Sequence, residues 1–347
     1  MRYISYILFS ILTVVFTRCK VDPEIKPELP ADNIRQVVPQ GWPQPVYQFQ
    51  NNPLSPEGFV LGRTLFYEKM LSRDNTISCG SCHQQFAAFA HSEHSLSHGI
   101  DGLFGIRNSP PLFNLNWHPS FMWDGGVNHI EVQPLAPITN PVEMDDNMTN
   151  VISKLSNSSK YKSLFKNAFG TEEVNTERIF KSLAQFMGML YSYKSKYDLH
   201  VNGAQGGEFS AQQTNGYNLF KAKCSQCHTE PLLTDFSFRN NGLSINPILN
   251  DSGRAHITSD PNDRYKFKVP TLRNILQTAP YMHDGRFTTL KQVLDHYHTG
   301  VQTSATLDPL LLGGIVLTEQ EKLDIISFLG TLSDYSFLYD ERFKDPN

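Results

Sequence analysis

Two five-residue strings, CGSCH at 79–83 and CSQCH at 224–228, hold four of the chain's five cysteines and constrain its fold more than any other feature. C-x-x-C-H is the attachment signature of c-type haem. Two thiols one turn apart add to the porphyrin's vinyl groups, and the adjacent imidazole reaches the iron. A redox C-x-x-C preceding a histidine by accident would be a poor account of two complete motifs among five cysteines. A zinc site would need further ligands at short spacing, which neither motif has. Cys79, Cys82 and His83, with Cys224, Cys227 and His228, are therefore expected to bind two covalent haems, leaving no cysteine pair for a disulfide.

The motifs sit inside a longer repeat. GRTLF (62–66) precedes the first and GYNLF (216–220) the second, both G-x-x-L-F on a pattern that predicts a helix leading into the haem loop. Downstream, PPLFNLNWHPSFMWDGG (110–126) aligns without a gap on PTLRNILQTAPYMHDGR (270–286), so that FMWDGG answers YMHDGR with tryptophan exchanged for histidine. Residues 151–170, 175–198 and 318–333 carry apolar positions at three- and four-residue spacing. Thr176 is read as one N-cap, and Thr318 as another with Glu321 three residues on. The expectation is a mostly α fold of two tandem cytochrome c-like haem domains from an internal duplication. Its parts are a signal peptide (1–19), a flexible tether (20–45), an N-terminal haem domain (46–200) and a C-terminal haem domain (201–347), with the join in the Gly/Gln-rich 202–213.

The first 19 residues place one arginine before an apolar run that ends at Cys19, which predicts a signal sequence and export. Cys19 stands where a lipoprotein signal is cut and the cysteine acylated, although Arg18 is a poor fit to the small residue expected there. Lipidation, with a periplasmic membrane-anchored product, is the expectation; simple cleavage and an uncleaved anchor are the alternatives. The Pro- and charge-rich stretch that follows reads as a tether. A formal charge of −4 with no Lys/Arg cluster sets nucleic-acid binding aside.

The order LSRDNTISCGSCH, SHG, RNSP, WDGG, NPVEM, CSQCH, FKVPTLRN and PYMHDG, covering roughly residues 50 to 330, resembles the bacterial di-haem cytochrome c peroxidases and their methylamine-utilisation relatives. The resemblance implies a peroxide site at the N-terminal haem, with His83 proximal and His98 as the distal histidine that many members release. The methylamine-type enzymes lack that histidine. It further implies Glu143 and Gln133 as active-site residues, Trp123 as an electron bridge, and a calcium site from Asn108 with the carbonyls of Thr278 and Pro280. On the residues alone, His98 also reads as a surface histidine, Glu143 as a solvated carboxylate and Trp123 as a core aromatic.

For the second haem the resemblance implies His228 as proximal ligand and Tyr297 as the sixth, where the peroxidases place methionine and the methylamine-type enzymes tyrosine; His296, His298 and Met282 stay open. The implied activity is reduction of hydrogen peroxide with electrons from a cytochrome c or cupredoxin, in a chain whose relatives are often homodimers. The alternatives are an enzyme that oxidises side chains of a partner protein and a non-catalytic electron-transfer cytochrome.

Overall fold

The computed structural model describes residues 34–346. The expected signal peptide, Cys19 and residues 20–33 of the expected tether lie outside them. Residues 34–45, expected to be tether, instead lie on the body. Trp42 meets Trp117 edge-on at 4.9 Å, and the Trp117 indole donates to the Pro43 carbonyl at 2.8 Å. Packing of the partly buried Trp42 on the buried Trp117 outweighs the local Pro-rich composition there.

The protein is mostly helical. Its helices are α1 (Pro56–Phe66), α2 (Cys79–Cys82), α3 (Leu135–Thr139), α4 (Met148–Ser156), α5 (Ser159–Phe169) and α6 (Thr176–Gly188), followed by α7 (Lys196–Val201), α8 (Ala211–Lys223), α9 (Ala255–Thr258), α10 (Leu290–Asp295), α11 (Glu319–Gly330) and α12 (Tyr335–Leu338). Among the described residues the only sheet is a two-residue antiparallel pair, β1 (Phe238–Arg239) with β2 (Phe267–Lys268). No described helix is long and apolar enough to cross a membrane.

Two apolar clusters form, around α1, α5 and α6 and around α8, α10 and α11. In each, the glycine of G-x-x-L-F sets the helix crossing. A Cβ on Gly62 would stand 1.9 Å from the Ser182 carbonyl of α6, and one on Gly216 1.9 Å from the Asp324 carbonyl of α11. Only glycine lets α1 lie on α6 and α8 on α11 at that separation. The clusters do not divide at residue 200: Tyr197 belongs to the second, whereas Phe337, Leu338 and Phe343 return to the first. The C-terminal turn thus straps the chain's end onto the first half.

The aligned strings take the same local form. Asn114 and Asn274 are both left-handed (φ 55°) and both open a 3-10 turn; Met122 and Met282 are left-handed too, at φ 67° and 74°. Bridges Phe121 to Val127 and Tyr281 to Phe287 close the two DG turns.

Helix starts follow side-chain chemistry. Thr318 caps α11 with the Glu321 capping box in place, but α6 is capped by Asn175, whose side chain accepts from the Arg178 N–H, so Thr176 is its first helical residue. Residues 175–198 are not one helix. α6 stops at Gly188, and the next residues run extended because distant groups take their backbone N–H bonds. Asn114 Oδ1 accepts from Ser192, and Asp334 Oδ2 from Tyr193 and Lys194, each at 2.9 Å. Nearby, Arg273 and Asp198 form a buried bidentate ion pair at 2.8 and 2.9 Å.

Candidate functional site

Each C-x-x-C-H loop opens on its own cavity. The first, of about 360 Å³, is lined by Cys79, Cys82, His83, Met122, Trp123, Gln133 and Glu143, among others. The second, of about 540 Å³, is lined by Cys224, Cys227, His228, Met282, His283 and Tyr297. Both volumes fall in the range of cofactor sites. Trp123 lines both cavities, as do Asn108 and Lys268.

The loops place their groups for ligation. The His83 Nδ1–H donates to the Phe89 carbonyl at 2.7 Å, which leaves Nε2 as the lone-pair nitrogen, and burial lowers the ring's pKa to about 4. The His228 Nδ1–H lies 3.1 Å from the Pro270 carbonyl and 3.3 Å from that of Leu233, with the same consequence. A metal-bound imidazole ordinarily makes this second bond to backbone. Burial pushes the thiol pKa of Cys79 up to about 12, of Cys82 to about 11 and of Cys224 to about 12. A dithiol redox motif works by lowering a thiol pKa, so this environment opposes that reading.

The walls also suit haem. His118 lines the first cavity with a buried Nδ1 that has no hydrogen-bond partner. Lys268 lines both, and burial pushes its ammonium down to about 8 although Nζ donates to the Ser120 carbonyl at 2.7 Å. An orphaned imidazole nitrogen and a desolvated ammonium on apolar walls call for carboxylates, and haem carries two. Neither His118 nor Lys268 is marked out in the sequence, since nothing local shows that they face a cavity.

Glu143 accepts from Asn140 Nδ2 at 3.0 Å, and burial raises its pKa. Gln133 stands on the same wall, its amide 3.8 Å from the Met122 sulfur. The loop carrying His98 is pressed onto Glu143: the Ile100 N–H donates to the Glu143 carbonyl at 2.8 Å, and a Cβ on Gly99 would stand 2.1 Å from that oxygen. Ser97 and Gly99 line the first cavity, but His98 does not. Its ring packs between His91, His94 and Phe104.

Of the four candidates for the second haem's sixth ligand, Tyr297 and Met282 line the cavity and His296 and His298 do not. The π turn His296–Gly300 that extends α10 presents Tyr297 and turns its neighbours away: His296 Nε2 bonds the Asn241 carbonyl at 3.0 Å and His298 Nδ1 that of Ile315 at 3.1 Å. Burial raises the Tyr297 phenol to about 12. Asn108, Thr278 and Pro280 all line the second cavity, while Asn108 Nδ2 donates to the carbonyls of His94 and Ser95 at 3.0 and 3.2 Å.

Between the cavities, the Trp123 indole donates to the Asn108 carbonyl at 2.8 Å, and the Trp123 carbonyl accepts from the Lys268 N–H at 2.7 Å. Arg107 clamps the junction through Asp251 at 2.6 and 2.8 Å and through Asp124 at 2.5 Å. Sequence reasoning missed this clamp because its carboxylates lie 17 and 144 residues away.

A helical fold with two C-x-x-C-H cavities sharing a tryptophan defines a di-haem redox protein. The chain belongs to the di-haem cytochrome c peroxidase family, whose family model matches residues 56–206. It is 36% identical over 299 residues to methylamine utilization protein MauG of Methylorubrum extorquens, covering 84% of this chain and 82% of that protein. It is 34% identical over 241 residues to cytochrome c551 peroxidase of Nitrosomonas europaea, covering 68% and 71%. A crystal structure of a MauG-like protein associated with microbial copper homeostasis superposes with a TM-score of 0.82 at 33% identity, covering 89% of this chain and 98% of the other.

Proposed function

We propose that this protein is a di-haem peroxidase that reduces hydrogen peroxide to water with electrons from a small redox protein, a cytochrome c or a cupredoxin. The observation that carries the reading is the shared wall: Glu143 and Gln133 stand in the cavity of the first C-x-x-C-H loop, and Trp123 lines that cavity and the second. When bound, the two haems supply a peroxide-binding iron and an electron store.

The chain's own residues supply the rest. Reduction of one H2O2 consumes two electrons and two protons and yields two waters. The Glu143 carboxylate accepts the proton of the near peroxide oxygen and returns it to the leaving oxygen, so that no charge is stranded in an apolar cavity. The Gln133 amide orders the peroxide or its water. Trp123 gives electrons a path of one indole between cavities. His83 and His228 are held in the Nδ1–H form by backbone carbonyls, and the thiols of Cys79, Cys82, Cys224 and Cys227 become the thioethers. Asn108 with the carbonyls of Thr278 and Pro280 is the proposed calcium site.

Support for tandem haem domains comes from the matched glycine crossings, asparagine turns and DG turns. Export with a lipid anchor at Cys19, and a homodimer, complete the proposal. The test is stoichiometric: holoprotein given reduced cytochrome c and peroxide should oxidise two donors per peroxide, and no oxidation of any donor would refute the reading.

Tyr297 on the second cavity wall favours one other reading, an enzyme that oxidises side chains of a partner protein. Mass spectrometry of partner candidates after peroxide treatment separates the two, since only that reading predicts added oxygen or new cross-links.

A further inference from the structure

The string HSEHSLSH, residues 91–98, brings three imidazoles together outside both haem cavities. Ring centroids lie 4.2 Å apart for His91 and His94, 4.9 Å for His91 and His98, and 4.6 Å for His94 and His98. One ring nitrogen from each lies within 4.8 Å of the other two. Two further observations point to a ligand. His91 is 3% exposed, and its buried Nδ1 has no hydrogen-bond partner. His94 donates its Nδ1–H to the Ser92 carbonyl at 2.9 Å, which leaves Nε2 free in the tautomer of a metal-bound histidine whose other nitrogen is held by backbone.

We propose that His91, His94 and His98 form a mononuclear site for a divalent first-row cation that favours imidazole, Zn2+ or Cu2+. Metal–nitrogen bonds of about 2.0–2.1 Å in a tetrahedral shell set the nitrogens about 3.3 Å apart, so closing the cluster takes shifts on the order of 1 Å. His94 is exposed and turns out of its stack on His91 to make them.

The loop is already fastened for the purpose. Asn108 Nδ2 holds the carbonyls of His94 and Ser95, and Ser97 donates its N–H to the Arg107 carbonyl at 2.8 Å while accepting from the Gly105 N–H at 2.8 Å. Three protein ligands leave the fourth position to water, on the side where His94 meets solvent. The site uses the ring that the family resemblance assigns to the first haem, so the ion and that iron compete for His98.

The test is calorimetric titration of chelator-treated, desalted holoprotein with zinc chloride in calcium-containing buffer, with bound zinc counted by elemental mass spectrometry. Neither readout depends on peroxidase activity, so failure here is distinct from failure of the peroxidase reading. The expected result is one zinc per chain, with affinity reduced at least about tenfold in His94→Ala and in His91→Gln. Affinity should be unchanged in His129→Ala, an exposed histidine that packs edge-on against Tyr47 and is not one of the three clustered rings. Absence of zinc from the wild-type protein, or unchanged affinity in His94→Ala, overturns the proposal. Circular dichroism of the variants shows whether a loss of binding reflects a loss of fold, and His94→Ala, at an exposed position, is the deciding variant.

Discussion

The indole N–H of Trp123 donates to the backbone carbonyl of Asn108 at 2.8 Å, and the N–H of that same Asn108 donates to the carbonyl of His283 at 2.7 Å. Trp123 and His283 are equivalent positions of FMWDGG and YMHDGR, tryptophan in one turn and histidine in the other, so one residue ties the exchanged pair together. His283 is stacked on Phe267 at 3.7 Å beside the second cavity. The exchange gives one turn an indole that reaches both cavities and the other an imidazole fixed on a phenyl ring.

On the proposed mechanism, Glu143 is the group whose charge state controls proton transfer. Glu143→Gln should lower kcat by about 10²- to 10⁴-fold while leaving haem content and the resting visible spectrum unchanged. The ionised form accepts the proton, so wild-type activity should fall as pH drops through the Glu143 pKa. Burial places that acidic limb above the ordinary glutamate value of about 4.3. Steady-state pH profiles of both proteins check this: the limb should vanish in the variant.

Tyr297 should set the potential of the second haem. Tyr297→Met replaces a phenol oxygen by a thioether, which favours ferrous iron, and the midpoint should rise on the order of 0.1 V in a spectroelectrochemical titration. An unchanged midpoint would move the sixth position to Met282, which stands on the same wall.

The glycines of G-x-x-L-F carry a stability prediction. Gly62→Ala and Gly216→Ala each drive a methyl group into a backbone carbonyl that cannot move without separating two helices. Each should cost about 1–3 kcal/mol or more, seen as a lowered thermal midpoint of the holoprotein.

Where neighbouring residues decide the structure, the sequence discloses it. The C-x-x-C-H strings, the helical pattern around G-x-x-L-F, the Thr318 cap with Glu321 and the gapless DG turns are each written within one short string, although the carbonyls that require Gly62 and Gly216 lie on remote helices. Where partners are remote, it does not. The extended run after Gly188 is held by Asn114 and Asp334, the junction by Arg107 with Asp251, and the cavity walls by His118 and Lys268. His98 shows the difference most plainly. SHG is legible as a motif, yet the ring's place beside His91 and His94 follows from a loop anchored by Asn108, fourteen residues from His94. The spacing of HSEHSLSH was the available signal.

On the proposed mechanism, peroxide is reduced in the first cavity with electrons that cross Trp123 from the second. Stopped-flow spectroscopy of reduced wild-type and Trp123→Phe holoprotein mixed with peroxide puts that crossing to the test. The phenyl ring fills much of the indole's space but lacks the N–H held by Asn108 and is harder to oxidise. Peroxide binding should therefore proceed at the wild-type rate, while oxidation of the second haem slows by about tenfold or more. Equal rates of second-haem oxidation in the two proteins would remove Trp123 from the electron path.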